Sequence, residues 1–185
     1  MNILFLDTET SSFRAQRPGD KFGPMCQLAA KLRADGRETI MCDLVQPCGW
    51  EIRTDAQAVH GITQERCERE GKPLVDVLTR FGNMAYRADV MVSYGLAFDA
   101  AVLTAEYMSL GMACPTFAFL RCVMEAATGM CRIPARRRGY KHPTLTEAAR
   151  ILLGVEHEHA HDALADLLML ERVHDRIYNE EKCVG

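Results

Sequence analysis

Ile3-Leu4-Phe5-Leu6 is an unbroken apolar run, and it ends in Asp7-Thr8-Glu9. Four consecutive apolar residues leave no polar face, so a strand formed there must be covered on both sides, as in sheets layered between helices. Strand side chains alternate, so Asp7 and Glu9 project to the same side. Like charges that close raise each other's pKa unless a cation neutralises them. One short segment therefore requires two covering layers and something positive at its end.

The rest of the chain supplies those layers. Met25 to Leu32 and Thr39 to Val45 read as two further strands, joined by the turn Ala34-Asp35-Gly36-Arg37. Pro73, at a favoured first position, opens a helical pattern through Leu74, Val77, Leu78 and Phe81. Val90-Met91-Val92 reads as a short buried strand, followed by helix formers from Ala97 to about Leu110 that stop at Gly111. A helix from Thr144 to Leu153 is closed by Gly154, and a last helix runs from Asp162 to about Tyr178. Strands first, then alternation, then helices predict an α/β fold with a mixed sheet in a single domain over residues 1–185.

Of the 185 residues, 48% are hydrophobic and 25% charged, which excludes a disordered chain. No stretch approaches about 18 uncharged apolar residues, so no membrane span is expected. The N-terminus has no basic n-region, so the expected location is the cytoplasm, with reduced thiols. None of the eight cysteines, Cys26, Cys42, Cys48, Cys67, Cys114, Cys122, Cys131 and Cys183, forms a two-residue-spaced pair, and most are expected to be small core residues. A net charge of −3 disfavours nucleic-acid binding through bulk positive charge. Positive charge gathers locally instead: one polar loop, Ser11 to Pro24, carries Arg14, Arg17 and Lys21, and another, Cys131 to Pro143, carries Arg132, Arg136, Arg137, Arg138 and Lys141. The second is either a solvated face or a phosphate-contacting patch.

Two more carboxylates stand out. At about 100° per residue, Asp166 shares the apolar face of Ala163, Leu170, Val173 and Ile177, where a carboxylate must be paired or bound to a metal. Asp99 opens a helix, where a carboxylate ordinarily serves the cap or the dipole. Before the last helix lies His157-Glu158-His159-Ala160-His161. Each histidine alone reads as a surface residue, but His161 stands five residues ahead of Asp166.

Taken in order, these segments resemble the DEDDh 3′–5′ exonucleases of the ribonuclease H-like superfamily, the group that includes polymerase proofreading subunits, ribonuclease T and oligoribonuclease. Asp7-Thr8-Glu9-Thr10 matches the first motif, Gln27-Leu28-Ala29-Ala30 resembles the second-strand signature, and Val59-His60-Gly61-Ile62-Thr63 resembles the family's Val-His-Gly-Ile-Thr segment. Phe98-Asp99 matches the second motif and His161-Asp162-Ala163-Leu164-Ala165-Asp166 the third. The likeness runs from about residue 2 to 178. Tyr94-Gly95 stands where the family usually has His-Asn, and Ser11-Ser12 where it usually has Thr-Gly. His157 and Asp162 share the spacing of His161 and Asp166 and form a competing register, in which His157 would matter and His161 would not.

The resemblance implies a ribonuclease H-like mixed sheet of about five strands flanked by helices. It implies that Asp7, Glu9, Asp99 and Asp166 hold two Mg²⁺ or Mn²⁺ ions, as all-oxygen ligation favours. His161 would act as general base, with His157 silent, and hydrolysis would release 5′-nucleotides. Thr10, Val59, His60 and Phe98, with Arg136, Arg137 and Arg138, would bind the substrate, a 3′ end of single-stranded DNA or RNA. A homodimer is compatible with the sequence, and no membrane partner is expected. The alternative reading is an accessory subunit that binds a polymerase or repair partner. The complete set of five site residues and the few residues after the last helix are expected to count against it.

Overall fold

The computed structural model describes residues 1–158, 160 and 162–179. Five strands form one sheet: β1 (Ile3–Thr10), β2 (Met25–Ala34), β3 (Arg37–Leu44), β4 (Val90–Ser93) and β5 (Phe119–Cys122), in the order β3-β2-β1-β4-β5. The first three are antiparallel neighbours, and β1, β4 and β5 run parallel. Among the described residues the helices are α1 (Thr54–His60), α2 (Gln64–Glu70), α3 (Leu74–Ala85), α4 (Leu96–Ser109), α5 (Val123–Cys131), α6 (Leu145–Leu153) and α7 (Ala163–Asn179). This is the expected α/β mixed sheet, and none of these helices is long and apolar enough to cross a membrane.

β1 is covered on both faces, as its apolar run requires. Leu4 and Leu6 join Leu28, Ala30 and Leu32 of β2 in a core closed by Val77, Leu78 and Phe81 of α3 and Tyr107 of α4. Phe5 joins Ala29, Val90 and Val92 in a second core closed by α5, α6 and α7. The β2–β3 turn falls at Asp35 and Gly36, both at positive φ as a tight hairpin turn demands. Thr144 caps α6 with a reciprocal capping box to Glu147, and Gly154 ends it in the left-handed conformation.

Four elements escaped the sequence reading. α1 and α2 are seven residues each and bury one residue apiece, Ala56 and Cys67, so neither carries an apolar stripe. β5 is a four-residue edge strand with Phe119 and Leu120 exposed, and α5 follows it without a break. The cysteines also differ from expectation. Cys26 and Cys67 are buried, but Cys42 and Cys48 are exposed and Cys114, Cys122 and Cys131 half-buried, because they lie on the sheet's edges and on loops or helix ends. Cys183 lies outside the described residues.

Candidate active site

Strand alternation divides the first motif between the two layers. Asp7 and Glu9 face the side packed by α7, while Thr8 faces α4. Two helices on opposite faces of the sheet therefore reach the same end of β1. From one side, the first turn of α7 brings Asp166, which stands on the stripe formed by the buried residues Ala163, Leu170, Val173 and Ile177. Ion pairs to β2 fix this helix: Lys31 Nζ lies 2.7 Å from Glu171, and both terminal nitrogens of Arg33 reach Asp175, at 2.7 and 2.8 Å. From the other side, the first turn of α4 brings Asp99. Its Oδ1 accepts from Thr8 N at 3.1 Å and Thr8 Oγ1 at 2.7 Å, and its Oδ2 accepts from Ser93 Oγ.

One ligand atom from each of Asp7, Glu9 and Asp166 lies within 4.8 Å of the other two. Asp99 stands beside this trio and adds to its field, although Thr8 and Ser93 hold its own oxygens. Burial pushes the Asp7 carboxyl well above the usual carboxylate range, and the charges of Asp99, Glu9, Asp166 and Asp162 push it further. Burial and the charges of Asp166, Asp99 and Asp162 raise Glu9 to about 8. Asp99 rises to about 6: burial raises it, and its bonds to Ser93 and Thr8 pull it back. Asp7 Oδ2 is buried and has no hydrogen-bond donor among the described residues. A buried oxygen without a donor, amid carboxylates that resist ionising, fits a site built for a cation. All-oxygen donors suit Mg²⁺ or Mn²⁺.

The third motif differs in one respect from the sequence reading. Asp162 is exposed and caps α7: its Oδ1 accepts from Ala165 N at 2.9 Å and its carbonyl from Asp166 N at 2.8 Å. His157, read as a silent surface residue, is buried, and its Nε2 is hydrogen-bonded to Asp166 Oδ1. A ring taken out of water needs a polar partner, and α7's first turn provides it. His161 lies outside the described residues.

The remaining candidates surround this end of the sheet. His60 Nδ1 accepts from Ile62 N at 3.0 Å, so Nε2 carries the proton and donates to the Thr10 carbonyl at 3.2 Å. Gly61, at φ 70°, makes the left-handed turn that brings Ile62 back to that ring. Val59 is exposed. Thr10 is buried, and its hydroxyl donates to the Ser12 carbonyl at 3.1 Å, so it shapes the loop after β1 rather than lying open to solvent. Ser12, where the family's glycine usually stands, has its close contact relieved on the other side: a Cβ on Gly23 would meet Ser12 Oγ at 2.5 Å. Phe98 is half-buried and packs edge to face on Phe22, ring centres 4.6 Å apart. Arg17 pins the same loop to α4 through buried Glu106, at 2.8 and 3.0 Å, while Glu106 also accepts from Met25 N.

Arg136, Arg137 and Arg138 crown a small hairpin between α5 and α6. Pro134 pairs with Tyr140, Ala135 N donates to the Gly139 carbonyl at 3.0 Å, and Lys141 N donates to the Ile133 carbonyl at 2.9 Å. All three guanidinium groups are exposed, and none pairs with a carboxylate among the described residues. Sequence reasoning missed Ser93 and Phe22, and it named His157 only in the competing register with Asp162, not as a partner of Asp166. The bond from Thr8 to Asp99 was missed as well, although alternation alone turns Thr8 away from Asp7 and Glu9.

The fold recurs in solved nucleases. The structure matches Exonuclease X, solved with 5′ overhanging duplex DNA, at TM-score 0.66 and 21% identity over 97% of this chain and 93% of that one. A 3′-exonuclease solved with the histone mRNA stem-loop matches at TM-score 0.75 and 14% identity, over 97% and 82%. E. coli Exonuclease I, solved with a dA16 oligonucleotide, matches at TM-score 0.75 and 16% identity over 97% of this chain, which spans 42% of the larger protein. No curated protein matches the sequence. At these identities the solved structures speak for the fold. The family model described as RNase T, exonuclease, matches residues 4–173 and so spans β1 with Asp7 and Glu9, α4 with Asp99 and α7 with Asp166; the chain belongs to this exonuclease family.

Proposed function

We propose that the protein is a metal-dependent 3′–5′ exonuclease acting on single-stranded ends of DNA or RNA. The observation that carries this reading is the trio Asp7, Glu9 and Asp166, with ligand atoms within 4.8 Å of one another. The raised carboxyls support it, as does Asp7 Oδ2, which has no donor among the described residues.

In this reading Asp7, Glu9 and Asp166 hold divalent ions, two in all, with Asp99 completing the set. Bound there, Mg²⁺ or Mn²⁺ supplies the Lewis acidity that phosphodiester hydrolysis requires. The chain's own groups do the rest. Thr8 and Ser93 fix Asp99 in one orientation, and His157 does the same for Asp166. His161 takes the proton of the attacking water. Val59, His60 and Phe98 border the terminal nucleotide, Thr10 holds the loop beside it, and Arg136, Arg137 and Arg138 contact phosphates of the strand. The nucleic acids held by the solved relatives support an end-directed substrate of either sugar type.

The test uses 5′-labelled single strands of DNA and of RNA, with Mg²⁺ or Mn²⁺ and with chelator. Stepwise shortening from the 3′ end, release of 5′-mononucleotides and loss of activity with chelator are expected. Cutting of a circular single strand refutes the end-directed reading, and full activity in chelator refutes the metal site.

A further inference from the structure

Tyr94 stands where the family usually has histidine, and the structure gives it a definite task. Its phenol donates a 2.8 Å hydrogen bond to the Pro143 carbonyl, 49 residues away. Pro143 is buried and immediately precedes Thr144, the cap of α6. It is therefore the residue at which the arginine hairpin rejoins the fold. Two further contacts stiffen the same root: Thr128 Oγ1 meets His142 Nδ1 at 2.9 Å, and Lys141 Nζ meets Glu147 at 2.6 Å. Tyr94 itself is fixed from behind, because its carbonyl accepts from Met124 N at 3.1 Å and its ring packs with the core closed by α5, α6 and α7. Burial raises the phenol's pKa, so it stays a donor at neutral pH.

The position matters as much as the bond. β1 and β4 run parallel with Phe5 opposite Val92, so Asp7 and Tyr94 each lie two residues past one register point. Ser93, the intervening residue, holds Asp99. The strand end that orients a carboxylate thus also anchors the hairpin.

We infer that Tyr94 is a positioning residue, whose hydroxyl seats the arginine hairpin beside the carboxylate cluster so that Arg136, Arg137 and Arg138 meet the phosphates of a strand already entering the site. The inference rests on the nuclease reading and deepens it. The preferred substrate becomes a polymer several nucleotides long, held by its backbone, rather than a dinucleotide.

Tyr94→Phe removes the hydroxyl alone, and two readouts test it. Trypsin cleavage after Arg136, Arg137 or Arg138, measured on the metal-free protein, reports the anchor without reference to activity. Kinetics on a single-stranded 20-mer and on a dinucleotide report the consequence. The expected result is faster cleavage at the hairpin, with KM for the 20-mer raised about 2–10-fold, the worth of one net hydrogen bond. kcat should stay within about twofold, and the dinucleotide should show no matching rise in KM. In a variant with the three arginines changed to Gln, Tyr94→Phe should raise KM no further. A fall in kcat at constant KM, an equal loss on both substrates, or no change at the hairpin overturns the inference. If the wild-type chain hydrolyses neither substrate, the nuclease reading fails, and the trypsin comparison still decides the anchor.

Discussion

Without metal, the protein should lose stability as pH rises from about 5 to 9, and Glu9 should be a main cause. Folding raises its carboxyl from the ordinary 4.5 to about 8, chiefly through burial, then through Asp166, Asp99 and Asp162. The folded state therefore holds this proton more tightly than the unfolded chain. The stability it contributes is full below 4.5 and is lost as pH climbs through 8. At 1.36 kcal/mol per pKa unit, the full effect is about 5 kcal/mol. That is a ceiling, because a proton on Asp7, raised in the same direction, relieves the same repulsion. In a domain of this size, about 2–4 °C of Tm accompanies each kcal/mol, so the ceiling corresponds to a fall of roughly 10–20 °C and a smaller fall is expected. Buried His174 lies below its ordinary pKa and works with the opposite sign, gaining stability as pH rises through the histidine range. The comparison that isolates the cluster is therefore wild type against Glu9→Gln, by thermal unfolding in chelator at each pH unit. The variant should melt higher at pH 9 and converge with wild type at pH 5. Added Mn²⁺ should raise the wild-type Tm far more at pH 8 than at pH 5, because metal and protons compete for the same oxygens. Equal Tm values for the two proteins at pH 9 would refute this account of the site.

Asp7→Ala and Asp166→Ala should each abolish hydrolysis; melting in chelator should show the Asp7 variant as stable as wild type or more so, and the Asp166 variant less stable than the Asp7 variant, because it also strips buried His157 of its partner. His161→Ala should lower kcat about 10²–10⁴-fold with little change in KM, whereas His157→Ala should raise the Mn²⁺ concentration needed for half-maximal activity. A crippling loss of kcat in the His157 variant, with His161→Ala silent, would exchange those roles. Changing Arg136, Arg137 and Arg138 together to Gln should raise KM and flatten the salt dependence by about 0.7 in log–log slope per lost phosphate contact on a single strand. An unchanged slope would return the hairpin to a solvated face.

The sheet was legible because its strands obey patterns that packing enforces. Leu4, Phe5 and Leu6 can only be a doubly covered strand, and Asp35-Gly36 can hardly be other than a tight turn. The stripe of α7 fixed its rotation well enough to turn Asp166 inward. The segments that were missed have no such pattern. α1 and α2 are held by the His60 ring and by loop hydrogen bonds rather than by an apolar face, and β5 is an edge strand whose pairing depends on β4. His157 was misread for a related reason. Its burial follows from the path of the polar segment before α7, and no periodicity in that segment announces the path.

A net charge of −3 looks ill suited to a polyanionic substrate, but the charges are not spread evenly. The site's carboxylates converge where β1 leaves the sheet, and they converge from both layers. Alternation sends Asp7 and Glu9 toward α7 and Thr8 toward Asp99 on α4. No single helix could supply this arrangement, since its side chains fan around one axis, whereas a central strand has a helix on each side to draw from. Elsewhere the more buried acidic groups are neutralised in pairs: Asp43 by Lys72 and Arg80, Glu106 by Arg17, Glu171 by Lys31, and Asp175 by Arg33. Two features stand apart: a concentrated anionic point and, rooted at the end of the adjacent strand, a hairpin of three arginines that pair with no carboxylate among the described residues. In the proposed reading, a phosphate backbone approaching the protein would meet positive charge at the hairpin. The cluster, in the same reading, would accept the reacting phosphate only with cations held by Asp7, Glu9 and Asp166. Metal loading, rather than overall charge, would then decide whether the chain engages the proposed substrate.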